Sequence, residues 1–502
     1  MKYRSTRNPE ETVTAAEAIT RGLSADGGLY VPETFPQYTH DDLVKMQFMS
    51  YPERAAFIMK DFLTDFTQEE IEECARLAYT EEKFGSEDPA PLTLVPDGDR
   101  SMYLLELWHG PTCAFKDMAL QLLPQLLTRA VRKTDPTKTV LILTATSGDT
   151  GKAALEGFKD VDGTKIVVFY PENGVSEMQK RQMDTQEGGN VGVCAIRGNF
   201  DDAQTGVKKI FVDPDVKARL AENQMVFSSA NSINWGRLLA QIIYYFTAYC
   251  ELMETGEMDH KGEKVNFVVP TGNFGNILAA YYAVKMGLPV NRLICASNSN
   301  NVLTDFLNEG TYNRNRTFYT TISPSMDILI SSNLERMLYD MSGAEQVRDW
   351  MRQLSESGVY QVTDDVLLEI KALFSAGFCS DEETTATIRD LFQSENYLCD
   401  PHTAVAVKVY RDYVARTGDR KTPAIVVSTA SPYKFADSVL RAVKDAPAAG
   451  DEPFEMIGEL AAFTGTPVPA PIAALEGKAV RFQNVCGREE MKEMVYRLAG
   501  IQ

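Results

Sequence analysis

The sequence predicts an α/β protein built on twisted, mainly parallel sheets flanked by helices. Three observations carry that expectation. Short apolar runs bounded by turn residues recur along the chain, as buried parallel strands require. Segments of helical periodicity join them. Loops of glycine and small polar residues stand where several runs hand over to helices, at the edge where open α/β sheets bind ligands.

In chain order, residues 1–90 read as a separate, mostly helical domain. Phe57, Ile58, Phe62 and Phe66, then Ile71, Cys74, Ala75 and Ala78, recur near helical spacing, with Thr67-Gln68-Glu69-Glu70 resembling a capping box between them. A turn over 25–32 breaks this segment early, and Glu87-Asp88-Pro89-Ala90-Pro91 reads as a linker. Residues 91–440 form the main α/β region, with 134–230 as a smaller subdomain. Gly110-Pro111 is a turn that leads into one helical stripe of Phe115, Met118, Leu122, Leu123, Leu126 and Ala130. Pro124 lies inside that stripe and should kink the helix or leave a carbonyl unpaired. Strands follow at 139–144, 165–170, 191–196, 265–270, 294–296 and 424–428, with helices at 152–158, 233–253 and 277–286. Residues 335–400 are charged and read as a peripheral helical insertion. Ala446-Pro447-Ala448-Ala449-Gly450 marks a linker in a C-terminal extension, 441–502.

Composition excludes several functions. A net charge of −20 argues against a nucleic-acid or membrane-surface binder, so an anionic ligand needs a local cluster of cations. The basic start Met1–Arg7 leads into no apolar stretch, so no signal peptide is expected, and no run is long enough for a transmembrane helix. Eight scattered cysteines without CxxC spacing fit a reducing cytoplasm, and the four histidines show no metal-ligand spacing.

The chemistry concentrates in a few stretches. Lys116 begins a helix behind Phe115, where a partly desolvated amine can act as a nucleophile or form a Schiff base; the alternative is a snorkelling surface lysine. Phe115 is read as core and Asp117 as a first-turn carboxylate compatible with the helix dipole. Gly272-Asn273-Phe274-Gly275-Asn276 joins a strand to a helix and can present backbone N–H groups to a phosphate, or serve only as a tight turn. Its spacing departs from the dinucleotide GxGxxG pattern. Ser147-Gly148-Asp149-Thr150-Gly151-Lys152 lacks the spacing of a nucleotide P-loop and suits a carboxylate or phosphate, or a capping turn made by Asp149 and Thr150. Asn231-Ser232-Ile233-Asn234 sets a cap-type Ser232 near a helix start with Arg237 one turn in, either a phosphate fork or a surface charge. Asp400-Pro401-His402 reads as a Pro-initiated helix start. Taken together they describe a ligand with a phosphate, a carboxylate and a carbonyl that condenses with an amine, as pyridoxal phosphate and an amino acid provide.

The set His109–Thr112 with Phe115-Lys116-Asp117, Ser147–Gly151, Asn231–Asn234 with Arg237, and Gly272–Asn276 resembles the threonine synthases, in their long bacterial and fungal form. Ser323-Pro324-Ser325-Met326-Asp327-Ile328 and Asp400–Ala404 extend the resemblance. It implies a fold-type II pyridoxal-phosphate enzyme in the cytoplasm, a monomer or homodimer, converting O-phospho-L-homoserine and water to L-threonine and phosphate. Another fold-type II enzyme, such as a serine/threonine dehydratase, and a non-catalytic binder of phosphorylated metabolites are the alternatives. The resemblance further implies that Lys116 bonds covalently to pyridoxal 5′-phosphate, and that Gly272, Asn273, Phe274, Gly275 and Asn276 hold its phosphate. Asp149 would stand by the pyridine 3′-oxygen, sharing a proton there, and Thr429 would face the ring nitrogen. Ser147, Thr150, Asn231, Ser232 and Arg237 would hold the substrate carboxylate and phosphate. The family's Thr-Ala-His-Pro-x-Lys-Phe element reads Thr429-Ala430-Ser431-Pro432-Tyr433-Lys434-Phe435 here, so Ser431 must replace any substrate contact of that His.

Overall fold

Two sheets with helices on their faces organise the computed structural model, which describes residues 1–98, 100–146, 148–173, 175–256, 258, 262–446, 450 and 452–501. The N-terminal region is mostly helical but opens with an antiparallel sheet of β1 (Tyr3–Ser5), β2 (Thr12–Val13) and β3 (Tyr30–Pro32). Its Thr67 capping box is present: the Thr67 side chain accepts from Glu70 N–H and the Glu70 carboxylate accepts from Thr67 N–H.

After the linker come β4 (Leu92–Asp97) and β5 (Arg100–Glu106), then β6 (Thr139–Ala145), β7 (Thr164–Pro171), β8 (Val191–Ile196) and β9 (Met225–Ser228). β10 (Val265–Pro270), β11 (Val290–Ser297), β12 (Thr311–Asn313) and β13 (Val359–Gln361) follow, then β14 (Phe374–Phe378), β15 (Ala424–Ser428) and β16 (Val485–Cys486). The larger sheet runs β14-β11-β10-β15-β5-β4, parallel except for β4 against β5; the smaller runs β16-β8-β7-β6-β9 and is wholly parallel. The central runs 191–196, 265–270 and 424–428 are buried at every position, which is why they read as unbroken apolar stretches.

Several expectations need correction. The charged stretch 335–400 is not wholly peripheral, because its β14 forms the edge of the larger sheet with Phe374 and Ala376 buried. A five-residue Phe-Ser-Ala-Gly-Phe strand between helices has too few apolar positions to show a period. The C-terminal extension returns to the smaller sheet through β16, and the helix Met491–Ala499 packs on β8 and β7. The linker residues 447–449 lie outside the described residues. The apolar stripe beyond Lys116 is two helices, Lys116–Leu120 and Leu123–Thr134, because Pro124 cannot donate to the Leu120 carbonyl. That carbonyl faces Gly157, where a Cβ would sit 1.9 Å from the oxygen.

The helix Trp235–Glu254 is buried on almost every side. Helices His40–Gln47 and Tyr51–Phe62 pack on it, as does Gly275–Lys285, and Trp235 meets the Tyr3 and Phe62 rings at 5.2 and 5.6 Å. Among the described residues no helix is long and apolar enough to cross a membrane.

Candidate active site

Lys116 is the first residue of its helix, and that start is built by the turn before it. The Asp117 carboxylate accepts from Thr112 N–H at 2.8 Å and from the Thr112 hydroxyl at 2.7 Å, closing the loop over Gly110. A Cβ at Gly110 would lie 2.5 Å from the Asp117 Cβ, so the glycine is required. Asp117 is the expected first-turn carboxylate and also a fully buried loop anchor; burial pushes its carboxyl up to about 6. Phe115, read as core, is half-buried, and its ring centroid lies 4.8 Å from Lys116 Nζ. The chain is tied to the next strand end by Phe115 N–H donating to Thr429 O at 2.8 Å.

Lys116 is 8% exposed. Its Nζ lies 3.5 Å from Asp149 Oδ2 and 3.3 Å from Ser325 Oγ. Burial pulls its affinity for a proton down; Asp149 opposes this, and the nearby cations Lys434 and Arg237 add to it. The local cationic cluster that a chain of charge −20 needs for an anionic ligand is therefore present.

The helix Asp149–Phe158 starts at Gly148, whose φ of +136° suits glycine alone. The Thr146 hydroxyl accepts from Gly148 N–H at 3.0 Å and Gly151 N–H at 2.8 Å. Thr146 thus does the work expected of Asp149 and Thr150, and the Asp149 side chain is free to point at Lys116. Thr150 is half-buried in the first turn, and Ser147 lies outside the described residues. Burial alone would raise the Asp149 carboxyl, but Lys434 first and Lys116 second hold it well below the usual carboxylate range. Lys434 Nζ stands 2.8 Å from Asp149 Oδ1, so Asp149 is a paired carboxylate.

At the end of β10 the turn places Phe274 in the left-handed region at φ +61°, with the helix Gly275–Lys285 following. A Cβ at Gly272 would lie 2.7 Å from Ser325 O. The first N–H groups of that helix have no intrahelical acceptor. Both Tyr244 and Tyr245 hydroxyls donate to Asn276 Oδ1, at 2.5 and 2.6 Å, and its buried Nδ2 has no partner among the described residues.

Asn234, not Ser232, caps the helix that carries Arg237: its side chain accepts from Gly236 N–H at 3.0 Å. Ser232 and Asn231 lie half-buried outside the helix. Arg237 is 4% exposed, donates Nη1 to Ala230 O at 2.9 Å and has no partner for Nε among the described residues. Burial pulls its guanidinium down to about 10, still charged at neutral pH. A buried guanidinium without a carboxylate partner among the described residues suits an incoming anion.

The predicted stretches do converge. Asn333 Nδ2 donates to Ser232 Oγ at 3.1 Å and to Asn273 O at 3.0 Å, bridging two of them. Thr429 is 6% exposed beside the Phe115 tie. Ser431 is fully buried, with its hydroxyl accepting from Tyr433 N–H at 3.3 Å, so it caps the turn Pro432–Phe435.

Four further groups were not assigned from the sequence. Lys434 and Ser325 sit in stretches that had been singled out, but nothing in the spacing aims them at Lys116. Ser325 N–H donates to His402 Nε2 at 3.1 Å, and His402 Nδ1 is bonded to Asp400 at 2.6 Å, which fixes the ring with its proton on Nδ1. Gln179 Nε2 donates to Asp149 Oδ1 at 3.0 Å, and Asn333 carries no sequence signal at all.

Residues 2–79 match the family described as Threonine synthase N terminus, 84–363 match Pyridoxal-phosphate dependent enzyme, and 403–495 match Threonine synthase, C-terminal. The chain is 40% identical to Threonine synthase-like 1 of Macaca fascicularis over 87% of its own length, and spans 59% of the length of that relative. It is 37% identical to threonine synthase of Saccharomyces cerevisiae, over 88% of this chain and 89% of that one. The crystal structure of threonine synthase with bound PLP from Brucella melitensis aligns with a TM-score of 0.86 at 36% identity, covering 99% of each chain.

Proposed function

This chain belongs to the threonine synthase family, and from that footing we propose that it converts O-phospho-L-homoserine and water to L-threonine and phosphate, with pyridoxal 5′-phosphate as cofactor. The observation that carries the reading is a desolvated lysine, Lys116, beside the buried guanidinium of Arg237, whose Nε has no partner among the described residues.

The residues present fit the cofactor. Gly272 keeps the turn open, the first N–H groups of the helix starting at Gly275 have no intrahelical acceptor, and Asn276 Nδ2 is a buried donor without a partner among the described residues, together a receptor for its phosphate. Lys116 is the amine to which it bonds. When bound, the group supplies a carbonyl carbon for amines and a ring that spreads the charge left by a departing proton. Thr429 would offer the ring nitrogen a neutral hydroxyl, and Asp149 would serve the ring oxygen as a carboxylate already paired with Lys434. Ser147, Thr150, Asn231, Ser232 and Arg237 hold the substrate carboxylate and phosphate, with Arg237 matching the phosphate by its fork. Lys116 carries protons off Cα and Cβ and returns them to Cγ and Cα. Over the cycle the Cγ–O bond to phosphate breaks and a hydroxyl from water bonds to Cβ.

Lys116→Ala is expected to abolish threonine and phosphate formation from O-phospho-L-homoserine, measured on purified protein. Full threonine formation by that variant refutes the assignment. Phosphate release from this substrate, set against oxo-acid release from serine or threonine, separates the reaction from that of a dehydratase.

A further inference from the structure

We propose that Lys434 is a positioning residue for this reaction: its ammonium is the permanent counter-ion of Asp149, so Asp149 stays a fixed carboxylate while Lys116 gains and loses its proton. The proposal rests on Lys116 being the residue that bonds to the cofactor.

The geometry separates a permanent partner from a transient one. Lys434 is 1% exposed, and its Nζ is held between Asp149 Oδ1 at 2.8 Å and Thr112 O at 2.9 Å. The turn that carries it is pinned: Ser431 N–H donates to Cys113 O at 3.1 Å, and the Tyr433 hydroxyl donates to Thr466 O at 2.7 Å. Lys116 faces the other carboxylate oxygen, Asp149 Oδ2, at 3.5 Å, and its second contact, to the Ser325 hydroxyl at 3.3 Å, is likewise longer than those of Lys434. Gln179 Nε2 completes the Oδ1 side at 3.0 Å.

Consider the same site with Lys116 as the only cation near Asp149. Each time Lys116 lost its charge, a buried carboxylate would stand uncompensated. The proton would then pass to Asp149 instead of to substrate carbon. Lys434 removes that coupling, and its own charge repels the proton on Lys116. Arg237 acts on Lys116 with the same sign. Lys434 is also felt by Asp117 and Cys113; Glu156 acts on Asp117, and Lys152 and Asp117 act on Cys113. Burial pushes the Cys113 thiol up to about 12, so it stays neutral and does not compete.

The test uses cofactor-loaded wild type, Lys434→Met, Lys434→Arg, Asp149→Asn and the Asp149→Asn/Lys434→Met double variant. Each is titrated by visible absorbance against pH, and the fraction of lysine trapped by borohydride is measured. Removing the cation leaves Asp149 to hold the Lys116 proton, so the Lys434→Met midpoint is expected to rise by about one pH unit or more, a tenfold change in proton affinity. Lys434→Arg is expected to restore the wild-type midpoint. An unmoved midpoint in Lys434→Met with normal trapping overturns the role of Lys434. If Lys434→Met does not fold, the comparison is Asp149→Asn against the double variant, where the vulnerable carboxylate is gone. There the double variant must titrate at higher pH, and equal midpoints overturn the proposal. A wild type with no trapped lysine overturns the reading of Lys116 instead.

Discussion

Asp117→Asn makes a pH-dependent stability difference that can be worked from the structure. The buried carboxylate accepts from Thr112 N–H and the Thr112 hydroxyl, and burial raises it from the ordinary 3.8 to about 6. A carboxyl raised on folding binds its proton more tightly in the folded chain. Below the ordinary value both states are protonated and nothing is lost. As pH climbs from about 4 to about 6, the folded state loses stability, and above that the loss is constant. A rise of about two pH units at about 1.4 kcal/mol each amounts to about 3 kcal/mol at neutral pH. Asparagine keeps both contacts, since its carbonyl accepts from Thr112 N–H and its NH2 donates to the hydroxyl, but it does not titrate. Asp117→Asn minus wild type should therefore grow by about 2 kcal/mol between pH 4.5 and 7.5. With an unfolding entropy of about 2 cal/mol/K per residue over the chain, that is about 2 °C in Tm, more if the unfolding unit is smaller. Calorimetric melts of both proteins at the two pH values, in the same buffer ions, measure it. A Tm gap that does not change with pH refutes the reasoning.

Two structural predictions accompany it. Gly157→Ala places a Cβ 1.9 Å from the Leu120 carbonyl, where both partners are helix backbone. It should cost 3 kcal/mol or more at about the upper end of overpacking penalties, read as lost soluble yield or a Tm drop of several degrees, and a wild-type melt contradicts the close approach. Asn333→Ala removes the bridge between Ser232 and Asn273 and leaves Arg336 Nη1, which donates to Asn333 Oδ1 at 2.7 Å, without that acceptor. Cofactor affinity should fall by about 1–3 kcal/mol, roughly five- to 150-fold in Kd, and an unchanged Kd in equilibrium dialysis counts against the bridge.

What the sequence by itself determined is local. The strands 191–196, 265–270 and 424–428 coincide with their observed bounds, because each is short, apolar and buried on both faces. The start of the Lys116 helix was legible from Gly110-Pro111 and the apolar stripe after it, and Pro124 announced the break that splits the stripe. Glycine-rich turns at strand ends marked the loops that meet. Local signals misled where a neighbouring residue could do the same job: Thr146 and Asn234 organise the helix starts expected of Asp149 with Thr150 and of Ser232. Burial of Asp117 was also invisible, because an acidic residue in a first turn reads the same whether solvated or enclosed.

Only the tertiary structure decided which charges touch. Lys434 stands 322 residues from the Thr112 carbonyl that holds it, and Ser325 stands 209 from Lys116. No period or turn rule spans such distances; sheet order does, by bringing the carboxyl ends of β10, β15 and β5 to one place, and Asp149 after β6 of the smaller sheet faces them. Asp149 shows the consequence. The family resemblance implied a carboxyl that shares a proton with the cofactor, and the fold adds a lysine from the far end of the chain, 2.8 Å away, as the partner of its buried charge.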